Sequence, residues 1–347
     1  MSINSFFSRP GFLSEPPYKG RRMGICILIT LLLFFISSAV ISVVTTPIEA
    51  AWFLENFDFQ SLAQQLNGNW GSVEEYFSGL AGYLKSVTDM MTNLPPWISL
   101  VSLFSFAVII ITVFVCRKKI EKGTFLSLGF TREGVFANYA KGLLVGFVLF
   151  SAAVGLGWLT GGLEFGGFSV SGAADAVYVV LFFLGYVVQG MAEEVLCRGY
   201  LMTSLTRRYS VATAVLVNSA FFALLHMFNN GVSLLAFVNL TLYGIFASML
   251  MLKTGNIWIV GAVHTVWNFV QGNLYGISVS GMGKSPSVLS MTSTGRTWLN
   301  GGKFGMEGGV CVSAVLLAGI AVLAILAKRE NEKRTTEPQL ETGGNVQ

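Results

Sequence analysis

Eight apolar runs, separated by polar or glycine-rich stretches, set the pattern of this chain. The first, Gly24 to Val44, follows Lys19, Arg21 and Arg22 and is long enough to cross a bilayer once as a helix. Residues 46–96 are polar and carry Glu49, Glu55, Asp58, Glu74, Glu75 and Asp89 against Lys85. That stretch predicts an acidic loop, with room for amphipathic surface helices. Trp97 to Cys116 is apolar again and stops at the basic run Arg117 to Lys122. Residues 123–142, with Arg132 and Lys141, predict an interfacial helix.

Further runs follow at Leu143 to Leu159, from about Ala176 through Glu193 and Glu194 toward Arg208, and at Val211 to Met227. The last three are Val232 to Leu252, Ile257 to Val270 and Gly309 to Ala327. A glycine-rich loop joins the third run to the fourth. A Gly/Ser/Thr-rich loop fills 271–306, and the basic run Lys328 to Arg334 opens a polar tail predicted to be disordered. Apolar runs of this length must close their own backbone hydrogen bonds in lipid. The predicted fold is therefore all-α, a polytopic transmembrane bundle of about eight transmembrane helices.

Composition agrees. The chain is 53% hydrophobic and 12% charged, against about a quarter charged in soluble domains. Its mean hydropathy is +0.65. No basic patch interleaved with aromatics indicates a nucleic-acid partner. The four cysteines, Cys26, Cys116, Cys197 and Cys311, lie in or beside apolar runs without a CxxC pair, so neither a disulfide framework nor a thiolate metal site is indicated.

Of the 22 Lys and Arg, 17 fall on one side of the eight-run topology. Arg198 lies within a run, and Lys85, Lys284, Arg296 and Lys303 lie on the other side. The positive-inside rule then puts both termini in the cytoplasm. The first run exceeds a signal-peptide core and no small-residue cleavage site follows, which favours an uncleaved first helix. Three regions emerge: 1–125, a transmembrane hairpin with an acidic extracytoplasmic loop; 126–275, a core; and 276–347, an outer loop, last helix and cytoplasmic tail. No fixed-period repeat is visible, against a two-fold transporter.

Ionisable groups in lipid are costly and mark function by default. The stretch QGMAEEVLCRGY (Gln189 to Tyr200) ends a long apolar run, and the only two histidines, His226 and His264, lie in two more. Residues four apart share a helix face, so Glu194 can pair with Arg198 while Glu193 points elsewhere, free to act as a base. A helix-end charge cluster snorkelling to water is the competing reading. His264 and Asn268 are also four apart and could donate to a developing oxyanion, with interhelical polar packing as the alternative for Asn268. Helical rise sets Glu193 about 21 Å from Arg207, His226 about 27 Å from Arg208 and His264 about 17 Å from Lys253. These depths permit convergence inside the bilayer.

The ordered set EEVLCR (Glu193, Glu194, Arg198), FALLH (Phe222 to His226) and HTVWN (His264 to Asn268) resembles the CPBP intramembrane proteases. That group includes the CAAX prenyl endopeptidase type 2 (Rce1-like) and bacterial Abi and bacteriocin-immunity proteins. The resemblance covers roughly 130–275, and GGKFGMEGG (Gly301 to Gly309) is similar to bacterial members. It implies a bacterial cell-membrane endopeptidase acting on a membrane-embedded or lipid-anchored peptide or protein. Glu193 with His226 would activate a water, His264 and Asn268 would stabilise the oxyanion, and Glu194 with Arg198 would shape the site.

One Glu and two His could also make a three-ligand zinc site. However, there is no HExxH helix, both histidines would become ligands, and only Glu194, already matched to Arg198, would remain as a base. The expectation is a mechanism without a cofactor, with zinc as the alternative. A non-catalytic scaffold or immunity protein of the same fold is the second functional reading, and a solute transporter the third.

Overall fold

The structure, a computed structural model, describes residues 10–336 except 18, 68, 69 and 93. The first nine residues and the polar tail beyond 336 lie outside the described residues. Helix α1 spans Met23–Asn56 with Pro47 inside it, well past the predicted end at Val44. The acidic stretch forms α2 (Phe59–Asn67) and α3 (Val73–Thr92). The second crossing is built from α4 (Pro96–Ser105) and α5 (Ala107–Val115), interrupted at Phe106. Pro96 takes the first helical position, where its missing N–H costs nothing.

No interfacial helix forms over 123–142. Leu126–Leu128 makes one 3₁₀ turn, and α6 (Val135–Leu159) begins early enough to take in Lys141. The cause is packing. Gly142 and Gly146 lie one turn apart against the backbone of α11 (Ile257–Phe269), and a methyl group at either would collide with the carbonyls of Ile259 or Val263. Small residues at this spacing let membrane helices touch backbone to backbone, and that contact holds the polar start of α6 in the helix.

Strand β1 (Leu163–Phe168) leads to α7 (Ala173–Glu194), a π-helical segment Val195–Met202 and α8 (Thr203–Thr206). Helices α9 (Val211–Leu225), α10 (Leu234–Thr254) and α11 then form a tight series. Ser210, Ser233 and Asn256 cap their amino ends, and Gly255 at φ 65° ends α10. Beyond α11 lie β2 (Leu289–Ser293), α12 (Thr297–Asn300) and α13 (Val310–Thr336).

The chain is an all-α integral membrane bundle. Among the described residues six helical segments are long and apolar enough to cross a membrane. Of the eight predicted crossings, the two outside that set are α9, at 15 residues, and α11, at 13. His264 lies within α11, and His226 directly follows α9. A 15-residue helix is about 22 Å long, so a chain starting at one membrane face ends α9 within the bilayer.

One end of the bundle gathers the basic segments. Arg21 pairs with Glu121, Arg207 donates to the Glu15 carbonyl at 2.7 Å, and Lys253 meets Glu330 at 2.5 Å. At the opposite end β1 and β2 pair antiparallel, with Leu163 across from Ser293. The glycine-rich stretches on either side read as loops, because five or six residues with a register shift leave little alternation to detect.

Candidate active site

Three close approaches position the polar residues. Helix α7 meets α11 at Gly190, where an added Cβ would lie 2.8 Å from Thr265 N. The glycine therefore sets Glu193 and Glu194, one turn on, against His264. Directly after Glu194 the helix widens into the π segment, which takes in Arg198, and α11 widens the same way after Asn268, over Val270–Leu274. Such segments are often found at functional sites. His226 is the residue that terminates α9, so its ring reaches the site from a helix end.

The structure brings Glu193, His226 and His264 together. Glu193 Oε2 lies 3.8 Å from His226 Nε2 and 3.7 Å from His264 Nε2. That oxygen has no hydrogen-bond partner among the described residues, whereas Oε1 accepts from Gln189 Nε2 at 2.5 Å. Glu194 is held differently. Its Oε1 takes Arg198 Nη1 at 2.9 Å and His264 Nδ1 at 2.8 Å. The side chains of Glu194 and Arg198 are fully buried, while Glu193 keeps 14% exposure. One carboxylate is thus locked and the other faces a cavity.

Both histidines are oriented from behind. His226 Nδ1 lies 2.9 Å from the Phe222 carbonyl, which can only accept, so Nδ1 carries hydrogen and Nε2 faces Glu193. His264 Nδ1 donates to Glu194 in the same way. Aromatic rings wall the group. Phe222 packs on both His226 and His264, and Tyr243 packs on His264. The Arg198 guanidinium stands 4.5 Å over the Phe222 ring, a cation–π contact that adds to its ion pair.

Asn268 sits one step away, donating through Nδ2 to Gln189 Oε1 at 2.9 Å. Gln189 therefore bridges Asn268 and Glu193, a role the sequence reading did not assign. Its signal was present: four residues before Glu193, it shares that residue's helix face. Removing the bridge by Gln189→Leu frees Oε1 of Glu193 and unties Asn268. An expected kcat loss of about 10–100-fold with KM little changed, as for other groups that orient active-site ligands, is checked by steady-state kinetics in proteoliposomes. Unchanged kcat would leave Gln189 as packing.

Another carboxylate was also missed. Glu307, from the outer loop, accepts from Trp267 Nε1 at 3.1 Å and from both N and Oγ of Ser280, at 3.0 and 2.5 Å. Ser280 sits at φ 47°, and Glu307 stabilises that turn by taking both of its donors. Glu307 and the Val279–Ser285 loop line the same cavity as Glu193, a space of about 500 Å³.

Zinc fits these donors poorly. Tetrahedral zinc with bonds of about 2.0–2.1 Å needs donors about 3.3 Å apart, and the O–N spacings are 3.7 and 3.8 Å. Among the described residues no group of His, Cys, Asp and Glu is arranged to hold a metal.

Comparison with known proteins bears on part of the chain. Residues 175–270 match the family model described as type II CAAX prenyl endopeptidase Rce1-like. The matched stretch contains Glu193, Glu194, Arg198, His226, His264 and Asn268, and leaves out α1 to α6 and the outer loop. No curated protein and no solved structure matches the chain.

Proposed function

From residues 175–270 as the Rce1-like segment of a CAAX-type intramembrane protease, we propose that the chain hydrolyses peptide bonds of membrane-embedded or lipid-anchored substrates with Glu193 as the base. The observation that carries this reading is Glu193 Oε2 facing the Nε2 atoms of both histidines at 3.8 and 3.7 Å. One water, about 2.8 Å from each, can touch an oxygen and a nitrogen so spaced.

Glu193 Oε2 and His226 Nε2 draw a proton from that water as its oxygen attacks the scissile carbonyl carbon. The oxyanion then accepts from Asn268 Nδ2, whose second hydrogen remains available. It also accepts from His264 Nε2 in the state in which that ring carries both protons, with Nδ1 still donating to Glu194. The proton held by Glu193 passes to the leaving nitrogen and the C–N bond breaks. One water is consumed, and an amine and a carboxylic acid are released. Glu194 and Arg198 do not touch the reacting atoms and act by fixing His264.

Membrane proteomics of cells expressing the wild type or the Glu193→Gln form tests the reading. An uncleaved precursor accumulates in the variant if it is right; indistinguishable membrane peptide profiles would overturn it. Because the donor spacing suits zinc poorly, the step is assigned without a metal. Turnover of the purified protein is expected to survive zinc chelation within twofold or so, whereas a zinc enzyme would lose about 10²-fold or more.

A further inference from the structure

We infer that the catalytic cavity takes its substrate from the face opposite the basic end, so that the substrates are membrane-anchored peptides whose scissile bond is presented on the extracytoplasmic side. This rests on the protease reading above and adds a direction to it.

The cavity has one kind of wall on each side. On α7 its lining positions are Phe182, Tyr186, Gln189 and Glu193, all before the Glu194–Arg198 pair in the chain, and Leu196, in the π segment between those two, is the last. Beyond lies a plug. Every residue from Glu194 to Leu205 is buried, and Leu128 and Phe12 at the basic end are buried as well. Arg117, itself fully buried, pairs with Glu121 at 3.0 Å and lies over the Tyr200 ring, closing the same end. On this stretch of chain the cavity lining stops at Leu196 and packed side chains follow.

The loop end is different. Gly281, Met282 and Lys284 line the cavity, and Met282 and Lys284 are exposed. The mouth is a fixed frame: Glu307 holds Ser280, Gly281 N donates to the Phe304 carbonyl at 2.9 Å, and Asn229 Nδ2 donates to the Ser280 carbonyl at 2.9 Å. Within the bundle Phe34, Phe106 and Phe182 give the cavity an apolar side, from α1, the break between α4 and α5, and α7. A substrate fits these two environments if its apolar anchor lies along the phenylalanines and its polar flank leaves through the mouth. Sixteen of the 21 Lys and Arg among the described residues belong to the side of the topology that carries the plug, which assigns that end to the cytoplasm and the mouth to the outside.

Two measurements on the full chain test this. The four native cysteines are buried, so a cysteine at Met282→Cys is the accessible thiol of that variant and one at Lys119→Cys is its counterpart at the basic end. A membrane-impermeant maleimide added to intact cells is expected to label the first, and the second only after permeabilisation. Labelling in the reverse order overturns the inference.

The second measurement uses single-span reporters tagged at both ends, with a randomised segment next to the span either outside or in the cytoplasm. Glu193-dependent cleavage about 10³-fold above the Glu193→Gln background is expected in the outer set alone. Glu193-dependent cleavage in the cytoplasmic set leaves the protease reading standing and overturns the direction. Cleavage in neither set overturns both.

Discussion

Replacing Glu193 with glutamine is expected to lower peptide hydrolysis by about 10³-fold or more while leaving the fold intact. Glutamine has the shape of glutamate, and its amide oxygen can still accept from Gln189 where Oε1 does now, at 2.5 Å. Its NH₂ group would face His226 Nε2, which accepts a hydrogen bond in the tautomer fixed by the Phe222 carbonyl. No buried polar group is stranded, so stability should move by less than about 1 kcal/mol. What is lost is the proton acceptor, and general bases of this kind contribute about 10²–10⁴-fold. Glu193 and His226 face one point, so they should behave as a unit. The Glu193→Gln, His226→Gln double variant is expected to fall little below the single one, which single-turnover assays in nanodiscs would show. Additive losses would mean the two residues work independently, and near-wild-type turnover in Glu193→Gln would remove the base from the mechanism.

The sequence made the helices legible because lipid leaves an apolar run one way to satisfy its backbone. It also made the Glu194–Arg198 pair legible, since a spacing of four on a helix brings side chains together, and the two lie 2.9 Å apart. Less of α6 could be read. Asn138 and Lys141 break the apolar pattern, and only the contact of Gly142 and Gly146 with α11, a tertiary fact, keeps those residues helical. The long α1 was hidden in the same way, by Pro47 and Glu49 in the middle of its second half.

Within the site, the spacing showed which residues share a face but not which atoms meet. Glu194 Oε1 takes His264 as well as Arg198, a contact between helices 70 positions apart in the chain that no local periodicity encodes. The π segments lay beyond reach for another reason: inserting one residue per turn leaves an apolar run apolar. They matter because one begins directly after Glu194 and the other two residues after Asn268, beside the polar residues of the site. The outer loop looked featureless by composition. Glu307 gives it structure, because a buried carboxylate needs several donors and finds them in Trp267 and Ser280.

Arg198→Leu is expected to cost about 3–5 kcal/mol, enough to lower the yield of folded protein sharply. The charge it removes is the partner of Glu194, whose side chain is fully buried, and an unpaired charge in that position is far more costly than none. The cation–π contact with Phe222 at 4.5 Å goes with it. Glu194→Gln alone should also destabilise, because it leaves the Arg198 guanidinium buried without a carboxylate. The informative variant carries both changes. With Glu194→Gln and Arg198→Leu together neither member of the pair leaves the other as an unpaired charge, and a glutamine oxygen can still accept from His264 Nδ1. Thermal unfolding in detergent should then recover most of the loss. Activity should not recover with it, since a neutral amide holds the doubly protonated His264 less well than a carboxylate does. A deficit of about tenfold or more in kcat is expected in a well-folded double variant. If Arg198→Leu unfolded at the wild-type temperature, the pair would be a surface-like contact despite its burial. If the double variant regained full turnover, His264 would not depend on the charge of Glu194, and the oxyanion donor would have to be sought in Asn268 alone.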